Sequence, residues 1–184
     1  MGQPRPAIDD AARQFIQAQR MFFVATAPLG PAGHVNLSPK VLDTFRILDD
    51  NTVAYLDFTG SGVETIAHLK ENGRIVIMFC AFDGPPNILR LHGYGRVVEP
   101  HEAGFPILLS QFPNYEYPRS IIVVKVERVA NSCGFGIPLM KHEGERTQLI
   151  SWAKKKGVEG LTKYHKEKNS RSIDGLAGLS ESGE

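Results

Sequence analysis

Two rhythms of apolar residues alternate along the chain. Over residues 6–20, Ile8, Ala12, Phe15 and Ile16 recur at helical spacing, and Asp9 and Asp10 suit the first turn of an amphipathic helix. Residues 21–27 (Met-Phe-Phe-Val-Ala-Thr-Ala) are strand-like, and residues 28–33, with two prolines and two glycines, predict a turn. Residues 34–39 alternate polar and apolar as a half-buried strand does, which closes a hairpin. Residues 45–48 and 52–57 form a second strand pair, joined by the turn-favouring Asp49-Asp50-Asn51. A short Gly60-Ser61-Gly62 turn then leads into a helix from near Val63 to about Glu71, stopped by Asn72-Gly73.

Residues 74–82 are nearly all apolar and predict a strand covered on both faces, ended by the turn at 83–87. Residues 88–98 alternate again, with Leu89 and Leu91 on one side and Arg90, His92 and Tyr94 on the other. Gly93 and Gly95 predict a bend or bulge there. A helix interrupted at Phe105-Pro106 is expected over 99–111, and a long strand over 119–129. Beyond a loop at 133–138, helices are expected over 147–156 and again from Gly157. Residues 169–179 mix glycine and serine with apolar residues, a composition suited to a segment ordered against a protein surface. The proline-rich residues 1–6 read as a loose tail.

Six or seven short strands with one inserted helix predict a small, barrel-like antiparallel sheet of the mainly-β, α+β class. The division expected is a sheet domain over 1–130 and a helical extension with tail over 131–184. The 184 residues are enough for one domain with a real core, and 42% hydrophobic with 22% charged residues is ordinary for a soluble protein. A net charge of +1 gives no field that points to nucleic acid or a membrane surface, and Lys154-Lys155-Lys156 reads as a solvated helix face. Two cysteines, Cys80 and Cys133, make no disulfide framework. With no signal-like or spanning apolar run near the start, the chain is expected in the cytoplasm.

The chemistry concentrates at two places. The loop opening the helix near Val63 offers free backbone N–H groups at the positive end of a helix dipole, an anion site whose commonest occupant is phosphate. Asn36-Leu37-Ser38-Pro39-Lys40 ends a neighbouring strand with polar groups and a cation. Lys40 reads either as a strand-end lysine in solvent or as a phosphate partner, and Ser61 and Thr65 either as helix caps or as phosphate ligands. Glu64 suits the dipole and must point away if phosphate sits there. Arg90 shares a polar strand face with His92 and Tyr94. His68 is expected at the surface. His34 starts a strand near the turn, and His101 and His142 have no second ligand at useful spacing, so no metal is expected. No nucleophile elbow is present.

Over residues 10–130, the strand order, the Lys40 strand end, Leu69-Lys70-Glu71-Asn72-Gly73-Arg74 and Arg90-Leu91-His92-Gly93-Tyr94-Gly95-Arg96-Val97 resemble the pyridoxamine 5′-phosphate oxidase-like superfamily of flavin-binding split barrels. The likeness is strongest to an oxidase-related subgroup of unassigned substrate. It implies a split β-barrel of six to seven antiparallel strands with peripheral helices, and a homodimer holding flavin mononucleotide (FMN) at its interface. By that resemblance Lys40 meets the flavin phosphate, Asn36, Leu37 and Ser38 lie along the ring, and residues 61–65, with Ser61, Gly62 and Thr65, cradle the phosphate. Arg90 faces the flavin or the second subunit. The family's arginine early in the 34–40 strand and its Arg-Lys pair at the helix start are replaced here by Val35, Glu64 and Thr65, and its terminal substrate-binding ending is absent. These departures point away from pyridoxamine phosphate as substrate. The resemblance implies an FMN-dependent oxidoreductase of unknown small-molecule substrate, with a non-catalytic flavin or haem binder or sensor, or a deazaflavin-dependent reductase, as alternatives.

Overall fold

The computed structural model describes residues 3–180. Seven antiparallel strands form one sheet: β1 (Phe22–Thr26), β2 (Asn36–Lys40), β3 (Phe45–Asp49), β4 (Thr52–Phe58), β5 (Arg74–Cys80), β6 (Ile88–Val98) and β7 (Pro118–Ser132). Their order across the sheet is β2-β1-β5-β6-β7-β4-β3. Four helices flank it: α1 (Asp10–Ala18), α2 (Glu64–Asn72), α3 (Phe105–Leu109) and α4 (Gln148–Lys168). This is the mainly-β, α+β architecture expected, with seven strands.

The sheet curls until its two ends meet through side chains rather than backbone hydrogen bonds. Phe22 of β1 packs edge-on against Phe45 of β3 at 5.0 Å and Tyr55 of β4 at 5.5 Å, with Phe79 of β5 closing the aromatic cluster. Edge-to-face packing is the arrangement the ring quadrupoles prefer. These rings join Val24, Ile77, Leu89, Leu91, Ile122 and Val124 in the main core, and α2 covers it with Ile66 and Leu69. A second cluster of Leu56, Val98, Phe105, Phe112 and Ile121 anchors α3.

The expected bend in β6 is a register shift between His92 and Gly93. A Cβ at Gly93 would lie 2.0 Å from the Lys125 carbonyl oxygen, so only glycine lets β7 approach so closely. The helix expected over 99–111 shrinks to α3, because Pro106 has no N–H to give and sits in a first turn instead of interrupting a longer helix. The two C-terminal helices expected are present within α4 and meet at a kink at Gly157, whose φ of 62° lies in the left-handed region. Nor is the start of the chain loose as far as Pro6: Arg5 exchanges backbone hydrogen bonds with Val129. Residues 1–2 of the expected loose tail and 181–184 of the expected extension lie outside the described residues. No helix among the described residues is long and apolar enough to cross a membrane.

After β7, residues 133–147 run without regular structure to α4. The chain then folds back so that Arg171 bridges Ala177, and Asn169 is fully buried. This terminal stretch packs on the β4–α2 turn.

Candidate functional site

Side-chain alternation on the edge strand β2 sets the site. Asn36, Ser38 and Lys40 project to one face and line a cavity of about 320 Å³, together with Ser61, Gly62, Glu64, Thr65 and Arg119. Leu37 projects to the other face and is exposed. Arg90 is elsewhere: it lies between Met78 and Ala130 in the sheet and donates to Ser132 Oγ at 3.0 Å. Of the residues singled out from the sequence, Asn36, Ser38, Lys40, Ser61, Gly62 and Thr65 converge on this cavity, and Leu37 and Arg90 do not line it. A larger cleft, about 660 Å³, lies over Phe22, Phe45 and Phe79 with Arg20, Asp43 and Arg46 at its rim. It gathers none of the eight.

Behind the cavity wall lies an ion triad, of which Lys40 and Arg119 line the cavity and Asp57 is buried beneath them. Lys40 Nζ lies 2.8 Å from Asp57 Oδ1, and Arg119 Nε donates to Asp57 Oδ2 at 2.8 Å. Burial alone would push the Asp57 carboxyl up, but the Arg119 and Lys40 charges outweigh it and hold the carboxyl well below the usual carboxylate range. Two cations on one carboxylate leave the cluster a net single positive charge. Neither Asp57 nor Arg119 stands out in the sequence. The available signal is an acid closing the otherwise apolar run of β4 and an arginine opening an apolar β7, charges that must pair once both strands are buried.

A second network runs beside it. Asn36 Nδ2 donates to Thr65 Oγ1 at 2.9 Å and to Thr26 Oγ1 at 3.3 Å, and Thr26 Oγ1 lies 2.9 Å from His68 Nδ1. His68, expected at the surface, is fully buried, because α2 lays that face on β1. Burial lowers its pKa, partly opposed by Asp174, Glu64 and Glu71. Its Nε2 has no partner among the described residues, nor has the buried Ser38 Oγ on the cavity wall.

At the start of α2 the cap position belongs to Val63, and no side chain among the described residues caps the helix. Ser61 therefore does not cap it, and Thr65 is engaged by Asn36. The first-turn N–H groups keep their unsatisfied polarity toward the turn. Glu64 folds back over that turn: a Cβ on Gly62 would lie 2.2 Å from Glu64 Oε2, and Oε1 accepts from the Ile173 N–H at 3.3 Å. Among the described residues no group of three or more histidine, cysteine, aspartate or glutamate side chains is placed to hold a metal ion.

The model of the pyridoxamine 5′-phosphate oxidase family matches residues 8–133, the whole sheet and both networks. The chain belongs to the pyridoxamine 5′-phosphate oxidase family. It is 38% identical over 191 residues to the pyridoxamine 5′-phosphate oxidase family protein ustO of Aspergillus flavus, an alignment covering 94% of this chain and 76% of that protein. Two solved structures share the fold. HupZ from Group A Streptococcus superposes with a TM-score of 0.55 at 22% identity, over 73% of this chain and 99% of that one. A Lactobacillus delbrueckii protein described by the oxidase family name gives 0.53 at 15% identity, over 68% and 95%. The sheet described above is thus the split barrel of this family. Glu64 and Thr65 occupy the first turn of α2 in this member, and Val35 precedes β2.

Proposed function

We propose that this member of the family binds FMN in the cavity between β2 and the β4–α2 turn and works as a flavin-dependent oxidoreductase on a small molecule. The observation that carries the reading is the cavity's donor set: a buried, unpartnered Ser38 hydroxyl, a triad with one unit of surplus positive charge, and the uncapped N-terminus of α2. Such a set suits a ligand with a polar ring edge at one end and a phosphate at the other. When bound, the flavin would supply the redox chemistry by accepting and returning a hydride equivalent.

The chain's own residues then have separable tasks. Lys40 and the backbone of residues 61–65 would hold the phosphate, with Glu64, which does not point away as expected but covers the turn, swung aside. Thr65 and Thr26 fix the Asn36 amide, so that Asn36 and Ser38 would present oriented polar groups to the ring. Asp57 holds Lys40 and Arg119 in place while leaving positive charge in excess. Among the described residues the cavity lining includes no histidine, cysteine or methionine, which favours flavin over a haem iron at this place. The exposed Leu37 and Val35 on the outer side of β2 support a homodimer across that edge.

The test is the visible spectrum of the purified protein after incubation with FMN and desalting. A retained flavin spectrum, with binding in Lys40→Ala weaker by more than about tenfold, is expected, since a charge-assisted phosphate contact contributes about 1.5–3 kcal/mol. No retention of flavin by the native chain would overturn the reading. Oxidation of reduced nicotinamide by the holo-protein with an added acceptor would separate turnover from binding alone.

A further inference from the structure

We propose that the C-terminal arm, residues 165–180, is the positioning element of the ligand turn: it fixes the conformation of residues 59–64 and thereby sets affinity at the cavity. The proposal rests on the FMN reading for its ligand, but the grip of the arm on the turn is a separate matter of geometry.

Three polar groups of the turn are taken by the arm or by a side chain the arm holds. Thr59 Oγ1 lies 2.8 Å from His165 Nε2, and the Gly60 carbonyl accepts from Asn169 Nδ2 at 3.1 Å. The Gly62 carbonyl accepts from an Arg119 nitrogen at 2.8 Å, and that same nitrogen donates to Asn169 Oδ1 at 3.1 Å. Asn169 thus ties the turn to the triad: one amide end holds Gly60, and the other holds the arginine that pairs with Asp57. The side chain is fully buried, where each hydrogen bond matters most.

The rest of the arm is fastened just as closely. A Cβ on Gly178 would lie 2.1 Å from the Asn169 carbonyl oxygen and 2.9 Å from Val63 Cγ1, so the tail lies flat against the N-cap residue of α2. Lys70 of α2 donates to the Gly178 carbonyl at 2.6 Å and pairs with Glu99 at 2.7 Å, and Glu99 also accepts from the Ser180 N–H at 3.0 Å. With two of the turn's carbonyls and its threonine hydroxyl held by the arm and Arg119, the opposite face of the turn is the one left to a ligand. A turn of Gly-Ser-Gly composition has little conformational preference of its own, so an external grip is what would select one shape.

The experiment compares the native chain with Asn169→Ala, His165→Ala and His165→Gln. Amide hydrogen exchange over residues 59–65 is measured without ligand, and the FMN dissociation constant by flavin fluorescence. Glutamine can place its amide nitrogen where His165 Nε2 lies, so His165→Gln is the conservative partner. Far-ultraviolet circular dichroism confirms that each variant keeps its sheet. The expected result is faster exchange in the turn and about tenfold weaker FMN binding in both alanine variants, with His165→Gln close to native in each. If the native chain binds FMN and the alanine variants leave both readouts unchanged, the arm has no positioning role and the flavin reading stands. If the native chain binds no FMN, the flavin reading falls and the arm's effect on affinity falls with it, while faster turn exchange in the variants would show the grip itself.

Discussion

Arg119, the residue left without a ladder partner at the register shift between β4 and β7, pairs with Asp57, Nε to Oδ2 at 2.8 Å, with both side chains almost wholly buried. Lys40 closes the other carboxylate oxygen. An acid so enclosed is tolerable only because both cations are present, and both cations are tolerable only because of the acid. Asp57→Asn would leave two positive charges without their counter-ion. We expect a loss of roughly 3 kcal/mol in unfolding free energy, read by urea denaturation, as is typical for breaking a buried pair on one side. A change below about 0.5 kcal/mol, the scale of ordinary surface substitutions, would mean that solvent screens the triad.

Among the described residues that line the cavity, Glu64 is the sole acid, and it folds over the turn where a phosphate would sit. Its partner there is the Ile173 N–H, which glutamine can keep through its side-chain oxygen. Glu64→Gln removes a like charge at short range without emptying the position. FMN binding should therefore tighten about three- to tenfold, an increment of about 1 kcal/mol being ordinary for a partly exposed charge near a helix N-terminus. The gain should shrink as salt is raised. Titrations at two ionic strengths check both statements, and unchanged affinity would place the phosphate away from α2.

Most of the sheet is legible in the sequence because alternation and turn chemistry are local signals: β1 to β6 lie within a few residues of their expected bounds. The bulge at Gly93 is legible for the same reason, since a glycine pair in an apolar strand has few other uses. What escapes is everything decided by tertiary packing. His68 has the sequence context of a surface helix residue, and only the docking of α2 on β1 buries it. Asp57, Arg119 and the His165–Asn169 pair are far apart in the chain, and no spacing rule brings the three places together. The helix expected over 99–111 is too long because a proline can open a helix as well as interrupt one, and Pro106 sits in a first turn. Within the candidate site, the β2 alternation places Asn36, Ser38 and Lys40 on one face; the same alternation sends Leu37 to the other.

Gly93 offers a test of the fold that does not involve the ligand. A methyl group there would meet the Lys125 carbonyl oxygen at 2.0 Å and the Val126 Cα at 3.1 Å, both backbone atoms that cannot rotate aside. Gly93→Ala should cost about 1–3 kcal/mol through overpacking and lower the midpoint of thermal unfolding accordingly. Gly30, where an added methyl group would have nothing within 4 Å among the described residues, is the matched control and should tolerate alanine. Equal effects at the two positions would show that β6 and β7 can separate at the bulge without cost.

Two histidines, the fully buried His68 and the half-buried His165, make the fold sensitive to acid. His165 has its pKa lowered first by burial and then by the Arg119 charge, opposed by Asp57 and Glu99. His68 has its pKa lowered by burial against the opposing charges of Asp174, Glu64 and Glu71. In both, the unfolded chain takes up a proton near the ordinary histidine value, about 6.5, while the folded chain resists until the pH is lower. Between those limits the unfolded state binds more protons, so stability rises with pH through the window. The stabilisation is fully present above about pH 6.5 and is lost as the pH falls toward the lowered folded values. Asp57 behaves in the same direction at far lower pH, its contribution persisting until strong acid. Thermal unfolding midpoints measured from about pH 7.5 down to about pH 5 should therefore decline below about pH 6.5. His165→Gln should flatten part of that decline, because glutamine keeps a hydrogen-bonding group for Thr59 and takes up no proton. A decline of the same steepness in His165→Gln would assign the acid sensitivity to His68 or to the carboxylates instead.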